Sequence, residues 1–406
     1  MTDQEAIEGL ERLLRDAVRQ QMVADVPLGA FLSGGIDSST VVALMQSQLS
    51  SRVKTFSIGF HEKEYDEAGH ARKVANHLGT EHTELFASPD DALGVVPQLA
   101  AMFDEPFADP SQIPTFLVAQ LTRRHVTVSL SGDGGDELFA GYSHYLSAKR
   151  RWALTRMVPS TVRSFIAARL RAPDEYRWDS LISQWRFLVP RRACERVSGY
   201  RIRRFADSLE TLEPAAFYQN QVSKWNATQN LVLNARECPL PFAAPRHIPP
   251  EWGVIQSMVY FDLLNYLPED VLTKVDRTTM AVSLEARVPL LDYRLVEFAT
   301  KLAMPLKIRG GQGKWVLRQI LYKYVPQELV DRPKMGFDVP IKAWLRGPLK
   351  AWAEQLLRPK DLEEDGYFAS ELIRRKWVEH VDGRRDWSQL LWIVIMFQAW
   401  KKQWGL

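Results

Sequence analysis

A chain of 406 residues and 46.6 kDa is long enough for one large or two ordinary domains with a substantial core. The composition, with 46% hydrophobic and 25% charged residues and a net charge of +3, is that of a soluble globular protein. No apolar run could span a bilayer, and the acidic N-terminus lacks the apolar core of a signal peptide. Only two cysteines occur, without metal-ligand spacing, so a disulfide scaffold is excluded and we expect a cytoplasmic protein.

Strand-like and helix-like patterns alternate before residue 131. Short β-prone runs separate longer stretches in which apolar residues recur every three or four positions. Such alternation predicts βαβ units and a parallel sheet with helices on both faces, with a ligand crevice at the carboxyl ends of the strands. In chain order we expect a helix over 5–24, a strand over 26–32, a helix to about 49, a strand over 53–60, a helix over 67–78, a strand over 82–85, helices over 89–102 and 113–123, and a strand over 126–130.

The pattern changes after Gly141, where strand signals become rare and Trp, Leu and Arg dominate. We therefore expect residues 1–145 to form an α/β core and residues 146–406 to be mostly helical, completing the substrate site within one continuous domain. Five prolines between Pro239 and Pro250 predict an irregular connection there. The apolar stretch from Trp387 to Trp404 suits a core, and a subunit interface is the alternative, which leaves a homodimer open.

Positive charge is concentrated in one segment. Between Lys149 and Arg204 there are fifteen Lys/Arg and four Asp/Glu, a balance of +11, so the rest of the chain sums to −8. Such a segment could attract nucleic acid, anionic lipid or a phosphorylated substrate. The alternative, which we favour, is a set of arginine-rich helices packed on an acidic neighbour.

A Gly/Ser loop joins the first predicted strand to the next helix. Its sequence is Ser33-Gly34-Gly35-Ile36-Asp37-Ser38-Ser39. The backbone N–H groups of such a turn, the helix dipole and the serine hydroxyls favour an anion. Asp37 would repel phosphate unless a divalent cation lay between them, and the Gly-Lys-Ser/Thr of a Walker A loop is absent. The loop therefore predicts a site for polyphosphate with Mg²⁺, the alternative being a plain strand–helix turn.

A second, acidic loop follows the fourth predicted strand, with the sequence Ser131-Gly132-Asp133-Gly134-Gly135-Asp136-Glu137. Asp136 is placed to share Mg²⁺ with Asp37, since two carboxylates and substrate phosphates form a usual Mg²⁺ shell. Asp133 could act in proton transfer at the reacting group. The alternative is an acidic turn that caps the following helix.

Two further segments carry candidate site residues. The stretch from Lys274 and Asp276 to Asp292 contains Glu285 and Arg287, which we expect at a helix end or loop because a helix must end ahead of Pro289. There an Arg and a Glu could bind a substrate with amino and carboxylate groups, or form a structural ion pair. Lys314, at the entry to a helix, could reach an α-phosphate, or lie on the surface.

Together these motifs resemble the synthetase domain of the glutamine-dependent asparagine synthetases, which are PP-loop ATP pyrophosphatases. The resemblance runs from about Leu13 to Trp352. It implies the α/β fold of that family, ATP and Mg²⁺, adenylation of a carboxylate with release of pyrophosphate, and attack by ammonia to give an amide. It further implies that pyrophosphate is bound by Ser33, Gly34, Gly35, Asp37, Ser38 and Ser39, and that the AMP pocket is lined by Leu32, Ile58, Ser131 and Gly132. Mg²⁺ would be bound by Asp37 and Asp136, and Lys314 would stabilise the transition state of adenylation. Asp133 would act in the ammonia step, and the substrate would be bound by Lys274, Asp276, Glu285 and Arg287.

One departure concerns the nitrogen source. Family members normally begin with a glutaminase domain whose nucleophile is an N-terminal cysteine, whereas residue 2 here is Thr and the synthetase pattern starts almost at once. We expect either one domain of a longer protein, or an enzyme that uses free ammonia or a partner glutaminase.

The substrate is a second open point. Free aspartate ranks first, because the resemblance is to enzymes that make asparagine. A glycan uronic acid, or an internal amine that closes a lactam or peptide ring, is the alternative. An RNA-modifying ATP pyrophosphatase rests on the basic segment alone, so nucleic acid is not an expected partner.

Overall fold

The structure, a computed structural model, describes residues 1–60, 67–184, 198–210, 213–225, 231–235, 248–249, 251–332 and 339–405. Within these ranges the strands are β1 (Leu28–Phe31), β2 (Lys54–Phe60), β3 (Glu81–Ala87), β4 (Val128–Leu130) and β5 (Glu285–Arg287). The α-helices in the first half are α1 (Asp3–Gln21), α2 (Ile36–Gln46), α3 (Ala68–Leu78), α4 (Pro89–Met102), α5 (Gln112–Arg123), α6 (Gly135–Leu138), α7 (Ser143–Met157), α8 (Ser160–Arg171), α9 (Glu175–Gln184), α10 (Gly199–Glu210) and α11 (Pro214–Val222).

The second half is helical except for β5. Its α-helices are α12 (Val254–Phe261), α13 (Thr273–Met280), α14 (Tyr293–Lys301), α15 (Met304–Lys307), α16 (Trp315–Leu321), α17 (Gln327–Val330), α18 (Ile341–Arg346), α19 (Lys350–Leu356), α20 (Pro359–Asp365), α21 (Ser370–Val381) and α22 (Ser388–Trp404). A π-helix covers Asp262–Leu272 and a 3₁₀ turn covers Pro289–Leu291. None of the helices described is both long and apolar enough to cross a bilayer.

The five described strands form one parallel sheet in the order β3-β2-β1-β4-β5. The chain moves outward from β1 through β2 to β3, and then returns to place β4 on the other side of β1. The strands are rich in buried apolar residues, as expected for a sheet with helices on both faces. The predicted α/β class and parallel sheet are therefore confirmed.

Local signals explain several helix boundaries. The predicted bounds of α4 agree with the structure because Ser88 and Asp91 form a capping box at its start. Gly79, in the left-handed conformation with φ of 70°, ends α3 where it was expected. The first helix begins earlier than predicted, at Asp3, because Thr2 and Glu5 form another capping box.

The chain divides into two compact units. Unit 1 comprises Met1–Ser143, Gln229–Ala235 and Asn265–Leu406, and it holds the sheet. Unit 2 comprises His144–Thr228 and Arg236–Leu264. The first boundary lies close to the expected division at 145, whereas the chain after residue 264 belongs to the unit that holds the sheet. Most of the predicted irregular connection at 239–250, and both cysteines, lie outside the described residues.

Unit 2 contains a buried carboxylate. Asp262 is 2% exposed and accepts hydrogen bonds from the hydroxyls of Tyr145 and Tyr218, the latter at 2.5 Å. His144 Nε2 lies 3.9 Å from Oδ2 of Asp262. Burial raises the pKa of Asp262 to about 6, although the two tyrosine hydroxyls act in the opposite direction.

Replacing Asp262 with asparagine is expected to remove a pH dependence from protein stability. The folded protein holds the Asp262 proton more tightly than the unfolded chain, because the pKa rises from 3.8 to about 6 on folding. The free energy of unfolding of the wild type should therefore fall, by up to about 3 kcal/mol relative to Asp262→Asn, as the pH rises from about 4 to about 6. Urea unfolding of both proteins across this interval measures the difference. A difference that stays constant with pH would contradict the assignment.

Candidate functional site

The two Gly-rich loops lie side by side at the carboxyl ends of β1 and β4. These strands are neighbours, with Ala30 paired to Leu130. The winding of the sheet reverses between β1 and β4, because β2 and β3 lie on one side of β1 and β4 on the other. Ligands bind parallel sheets at such a reversal, outside the carboxyl ends of the strands.

The loop after β1 is held in a tight turn by its own serines. Ser38 Oγ accepts from Ser33 N at 3.2 Å, Ser33 Oγ accepts from Gly35 N at 3.2 Å, and the two hydroxyls are 3.0 Å apart. Gly34 has φ of 75°, and a Cβ there would lie 2.8 Å from the backbone N of Ala71 in α3. This position therefore requires glycine both for its backbone conformation and for the close approach of α3.

The loop after β4 contacts the first turn of α2. A Cβ at Gly132 would lie 2.6 Å from the backbone N of Ser38, so only glycine allows the two loops to meet. Ser39, also in this turn, is fully buried. Two predicted pocket residues, Leu32 and Ile58, are buried beside the loops at the end of β1 and within β2. The structure thus brings both motifs into one site.

Lys314 lies between the two loops. Its Nζ forms ion pairs with Asp37 and with Asp136, the latter at 2.7 Å. The Lys314 side chain is 8% exposed, and each carboxylate 16%. Burial alone would lower the pKa of Lys314, but the two carboxylates outweigh it and raise the pKa above its ordinary value. The lysine is therefore a permanent cation that bridges the two acidic residues.

The backbone holds Lys314 in an unusual conformation. Its φ is 60°, in the left-handed region that a non-glycine residue enters at a cost on the order of 1 kcal/mol. The Lys314 amide donates to the carbonyl of Phe139 at 2.9 Å, which ties the start of α16 to the turn after α6. Strain of this kind is typical of functional positions. Because the Lys314 side chain is buried, the alternative of a surface lysine is wrong.

A group of polar side chains extends the site along the loop after β4. Asp133 accepts a hydrogen bond from the hydroxyl of Ser131, and its own amide donates to that hydroxyl at 3.3 Å. Glu137 is 1% exposed and accepts from the hydroxyl of Tyr142. Burial raises the pKa of Glu137 to about 7, and the nearby charges of Asp136 and Asp133 act in the same direction. The loop therefore carries a carboxyl group that titrates near neutral pH.

Lys274 forms a second buried ion pair in unit 1. Its Nζ lies 2.7 Å from Asp109, 2.8 Å from the hydroxyl of Ser111 and 3.9 Å from Asp270. Burial would lower the pKa of Lys274, but the carboxylates raise it, and Asp133 contributes to that effect. Lys274 is therefore electrostatically coupled to the loop after β4. Asp276, two residues along, is 60% exposed and lies 3.6 Å from Arg277.

Glu285 and Arg287 lie in a strand, so the prediction of a helix end or loop is wrong. They form β5, whose pairing with β4 outweighs its weak sequence signal, and Ser131 N donates to the Arg287 carbonyl at 2.8 Å. The Arg287 guanidinium donates to the carbonyls of Gln21 and Val23 at 2.8 and 2.7 Å, and to Glu285 at 2.7 Å. These bonds favour the alternative of a structural ion pair, while a substrate contact stays a prediction.

Arg332 begins a basic, Gly-containing stretch from Arg332 to Phe337 that the sequence predicts near the mouth of the site. Its Nη2 donates to Glu67 at 2.9 Å and to the Ser33 carbonyl at 3.3 Å. The remainder of this stretch lies outside the described residues.

The sequence reasoning missed Asp109 and Ser111, the partners of Lys274. A local signal was present, because Asp109-Pro110-Ser111 forms a turn ahead of α5 in which Ser111 N donates to Asp109 at 2.9 Å.

The donor set around Lys314 fits Mg²⁺ only with help from phosphate. In the ranges given above, three or more His, Cys, Asp or Glu side chains do not come together as a metal site. Asp37 and Asp136 nevertheless place carboxylate oxygens around one cationic centre, the Lys314 ammonium. Two carboxylates complete a Mg²⁺ shell when phosphate oxygens and waters supply the remaining ligands.

Comparison with known proteins gives a consistent result. The asparagine synthase family matches residues 9–402. The glutamine-hydrolyzing asparagine synthetase 1 of Bacillus subtilis is 31% identical over 385 residues, which are 95% of this chain and 57% of the relative. A putative glutamine-hydrolyzing asparagine synthetase of Mycobacterium bovis is 32% identical over 400 residues, 98% of this chain and 58% of the relative. Amidase chyE of Penicillium rubens is 25% identical over 399 residues, 90% of this chain and 57% of the relative. The chain thus spans little more than half the length of the relatives it matches.

Proposed function

Because the chain belongs to the asparagine synthase family, we propose that it is an ATP-dependent ligase that adenylates a carboxylate, releases pyrophosphate and transfers ammonia to form an amide. The observation that carries this proposal is the pair of ion contacts from Lys314 to Asp37 and Asp136, at the reversal point of the sheet. A buried cation beside two carboxylates and an anion-binding turn suits a reaction in which charge shifts between phosphates.

The first half of the reaction uses the two Gly-rich loops. The turn from Ser33 to Ser39 binds the departing pyrophosphate through backbone N–H groups and hydroxyls. Asp37 and Asp136 would hold Mg²⁺, which when bound would neutralise part of the phosphate charge. Lys314 stabilises the charge that develops on the α-phosphate as the carboxylate attacks. Leu32, Ile58, Ser131 and Gly132 line the adenylate pocket.

The second half uses the polar group after β4. Ammonia attacks the acyl carbon of the acyl-adenylate, the bond from that carbon to the phosphate oxygen breaks, and AMP leaves. Asp133 takes the proton that the attacking nitrogen loses, and its hydrogen bond with the Ser131 hydroxyl fixes its orientation. The acyl-adenylate must be kept from water at this stage, since hydrolysis would waste it.

L-Aspartate is the proposed carboxylate substrate. The relatives named asparagine synthetase support this choice. Lys274 and Arg287 are the candidates to pair with the second carboxylate of the substrate. Both already have partners, since the Lys274 ammonium bonds to Asp109 and the Ser111 hydroxyl, and the Arg287 guanidinium donates to two backbone carbonyls and Glu285. One relative is named an amidase. Activity with L-aspartate should therefore be compared with activity on other carboxylates, including uronic acids and amine-bearing acids that could cyclise.

The nitrogen donor is proposed to be ammonia. It would be supplied free, or by a glutaminase carried on a partner or on a further part of the protein, because the relatives named glutamine-hydrolyzing are much longer than this chain. ATP and Mg²⁺ complete the set of small molecules, and we propose that the reaction takes place in the cytoplasm.

The test is pyrophosphate release with ATP, Mg²⁺ and ammonium, with and without L-aspartate, followed by product analysis. We expect aspartate-dependent pyrophosphate in equal amount to asparagine, and no product with glutamine in place of ammonium. Pyrophosphate that appears only with another carboxylate would reject aspartate and keep the ligase. Absence of pyrophosphate with every carboxylate tested, from protein that binds ATP, would reject the ligase itself.

A further inference from the structure

The surface of unit 2 carries an unusual combination of basic and apolar side chains. It lies on α7, α8 and the short turn between them, residues 149–171, called here the α7–α8 corner. This stretch contains seven Lys/Arg and no Asp/Glu. It is a part of the basic segment for which the proposed reaction has no use.

Large apolar side chains at this corner face solvent. Met157 is 80% exposed, Leu154 64% and Phe165 62%. On α8, positions 162, 165, 166 and 169 fall on one helical face, and the first three are the exposed Val162, Phe165 and Ile166. The opposite face of α8 is also apolar, and Ala167 packs with Ala206 and Leu209 in the core of unit 2. A helix with one apolar face in the core and a second one in solvent indicates a contact surface.

Basic side chains lie on the same two helices. Lys149, Arg150 and Arg156 on α7 are exposed. Arg169 on α8 lies 5.3 Å from the ring of Phe165, so its charge sits over that apolar face. Exposed Phe, Leu and Met side chains on helices that also expose Lys and Arg match a bilayer interface, where acyl chains meet anionic headgroups.

We propose that the α7–α8 corner docks on the surface of an anionic lipid bilayer. Leu154, Met157 and Phe165 enter the boundary between headgroups and acyl chains, while the Lys and Arg of the same helices attract anionic lipid. This inference does not depend on the proposed ligase activity, because vesicle binding and pyrophosphate release are measured separately.

The test is co-sedimentation of the whole chain with vesicles of phosphatidylcholine alone and of phosphatidylcholine mixed with phosphatidylglycerol. We expect binding to the mixed vesicles and little to the neutral ones. Binding should be lost near 1 M salt, where the screening length falls to about 3 Å. Replacing Arg150 or Arg156 with glutamine should weaken binding about fivefold each. The double change Met157→Asp and Phe165→Asp should weaken it at least about tenfold.

A further variant tests whether vesicle binding belongs to the α7–α8 corner. Val23→Asp changes an apolar residue that is 76% exposed in unit 1, and it should bind vesicles as the wild type does. Equal loss of binding in Val23→Asp and in the double Asp variant would show that the corner is not the docking surface.

Several outcomes would overturn the proposal. One is failure of the wild type to bind the mixed vesicles at low salt, and another is equal binding by the double Asp variant. Binding to an RNA oligomer without vesicle binding would assign the corner to nucleic acid. A dimer that dissociates on the double Asp change, seen by sedimentation without lipid, would assign it to a second copy of the chain.

Discussion

Pyrophosphate release by the Lys314→Ala variant is expected to fall by a factor of about 10² to 10³, the usual effect of removing one preorganised charge from a transition state. Stability should change as well, because Asp37 and Asp136 would stay buried without the cation between them. Breaking such a buried arrangement costs about 3–5 kcal/mol. Mg²⁺ should restore part of this loss, since it can take the place between the carboxylates. Thermal unfolding with and without Mg²⁺, alongside the activity assay, measures both effects.

The matched control for Lys314→Ala is Lys401→Ala. Lys401 also pairs with a carboxylate, that of Asp365, and both side chains are 17% exposed, similar to the residues of the site. The control should lower stability without changing pyrophosphate release, and Mg²⁺ should not restore it. Full activity in Lys314→Ala, or an equal response of both variants to Mg²⁺, would contradict the assigned role.

Asp37→Asn is expected to reduce pyrophosphate release at least about a hundredfold. The amide keeps the shape of the side chain but removes the charge that would hold Mg²⁺ against the phosphates, an effect worth several kcal/mol in a transition state. Folding should be less affected than in Lys314→Ala, because Asp136 still pairs with the lysine. The measurement is the rate of pyrophosphate release as a function of Mg²⁺ concentration, with a higher Mg²⁺ requirement in the variant.

Asp365→Asn serves as the control for this change, because Asp365 is as buried as Asp37 and also pairs with a lysine. It should leave the Mg²⁺ requirement unchanged. The double variant Asp37→Asn, Lys314→Ala should release pyrophosphate only slightly more slowly than the less active of the two single variants, since both residues act on the same phosphates. Strict additivity of the two losses would indicate that they act independently.

The first four strands and the helices before residue 131 could be predicted because their signals are local. A capping box at Ser88, a glycine stop at Gly79 and short β-prone runs each act within a few residues. The strand β5 carries no such signal, since Glu-Ala-Arg is neither β-prone nor alternating. The strand forms because it pairs with the edge of β4 in the folded sheet. The sequence around residue 285 does not indicate that this edge will be nearby.

The site likewise has features that local sequence signals predict and contacts that they do not predict. The loops that hold Asp37 and Asp136 each follow a predicted strand, so their meeting at one edge of the sheet could be expected from topology. Lys314 was singled out from its place at the entry to a helix, and the family resemblance implied its role. Its contact with Asp37 could not be predicted, because it joins residues 277 positions apart. Lys274 was a candidate site residue, but its partner Asp109 was not identified, because the two residues are 165 positions apart. Contacts of this kind depend on the whole fold rather than on any segment.

The distance along the chain between β4 and β5 also has a consequence for synthesis. At about 5–20 residues per second, the ribosome completes β4 roughly ten to thirty seconds before β5 and Lys314 are made. During this time the edge of β4 has no neighbouring strand, and Asp37 and Asp136 lack the charge that later joins them. The nascent chain, rather than the finished fold, is therefore the form in which this protein is most exposed to aggregation, and the form that a chaperone would have to protect.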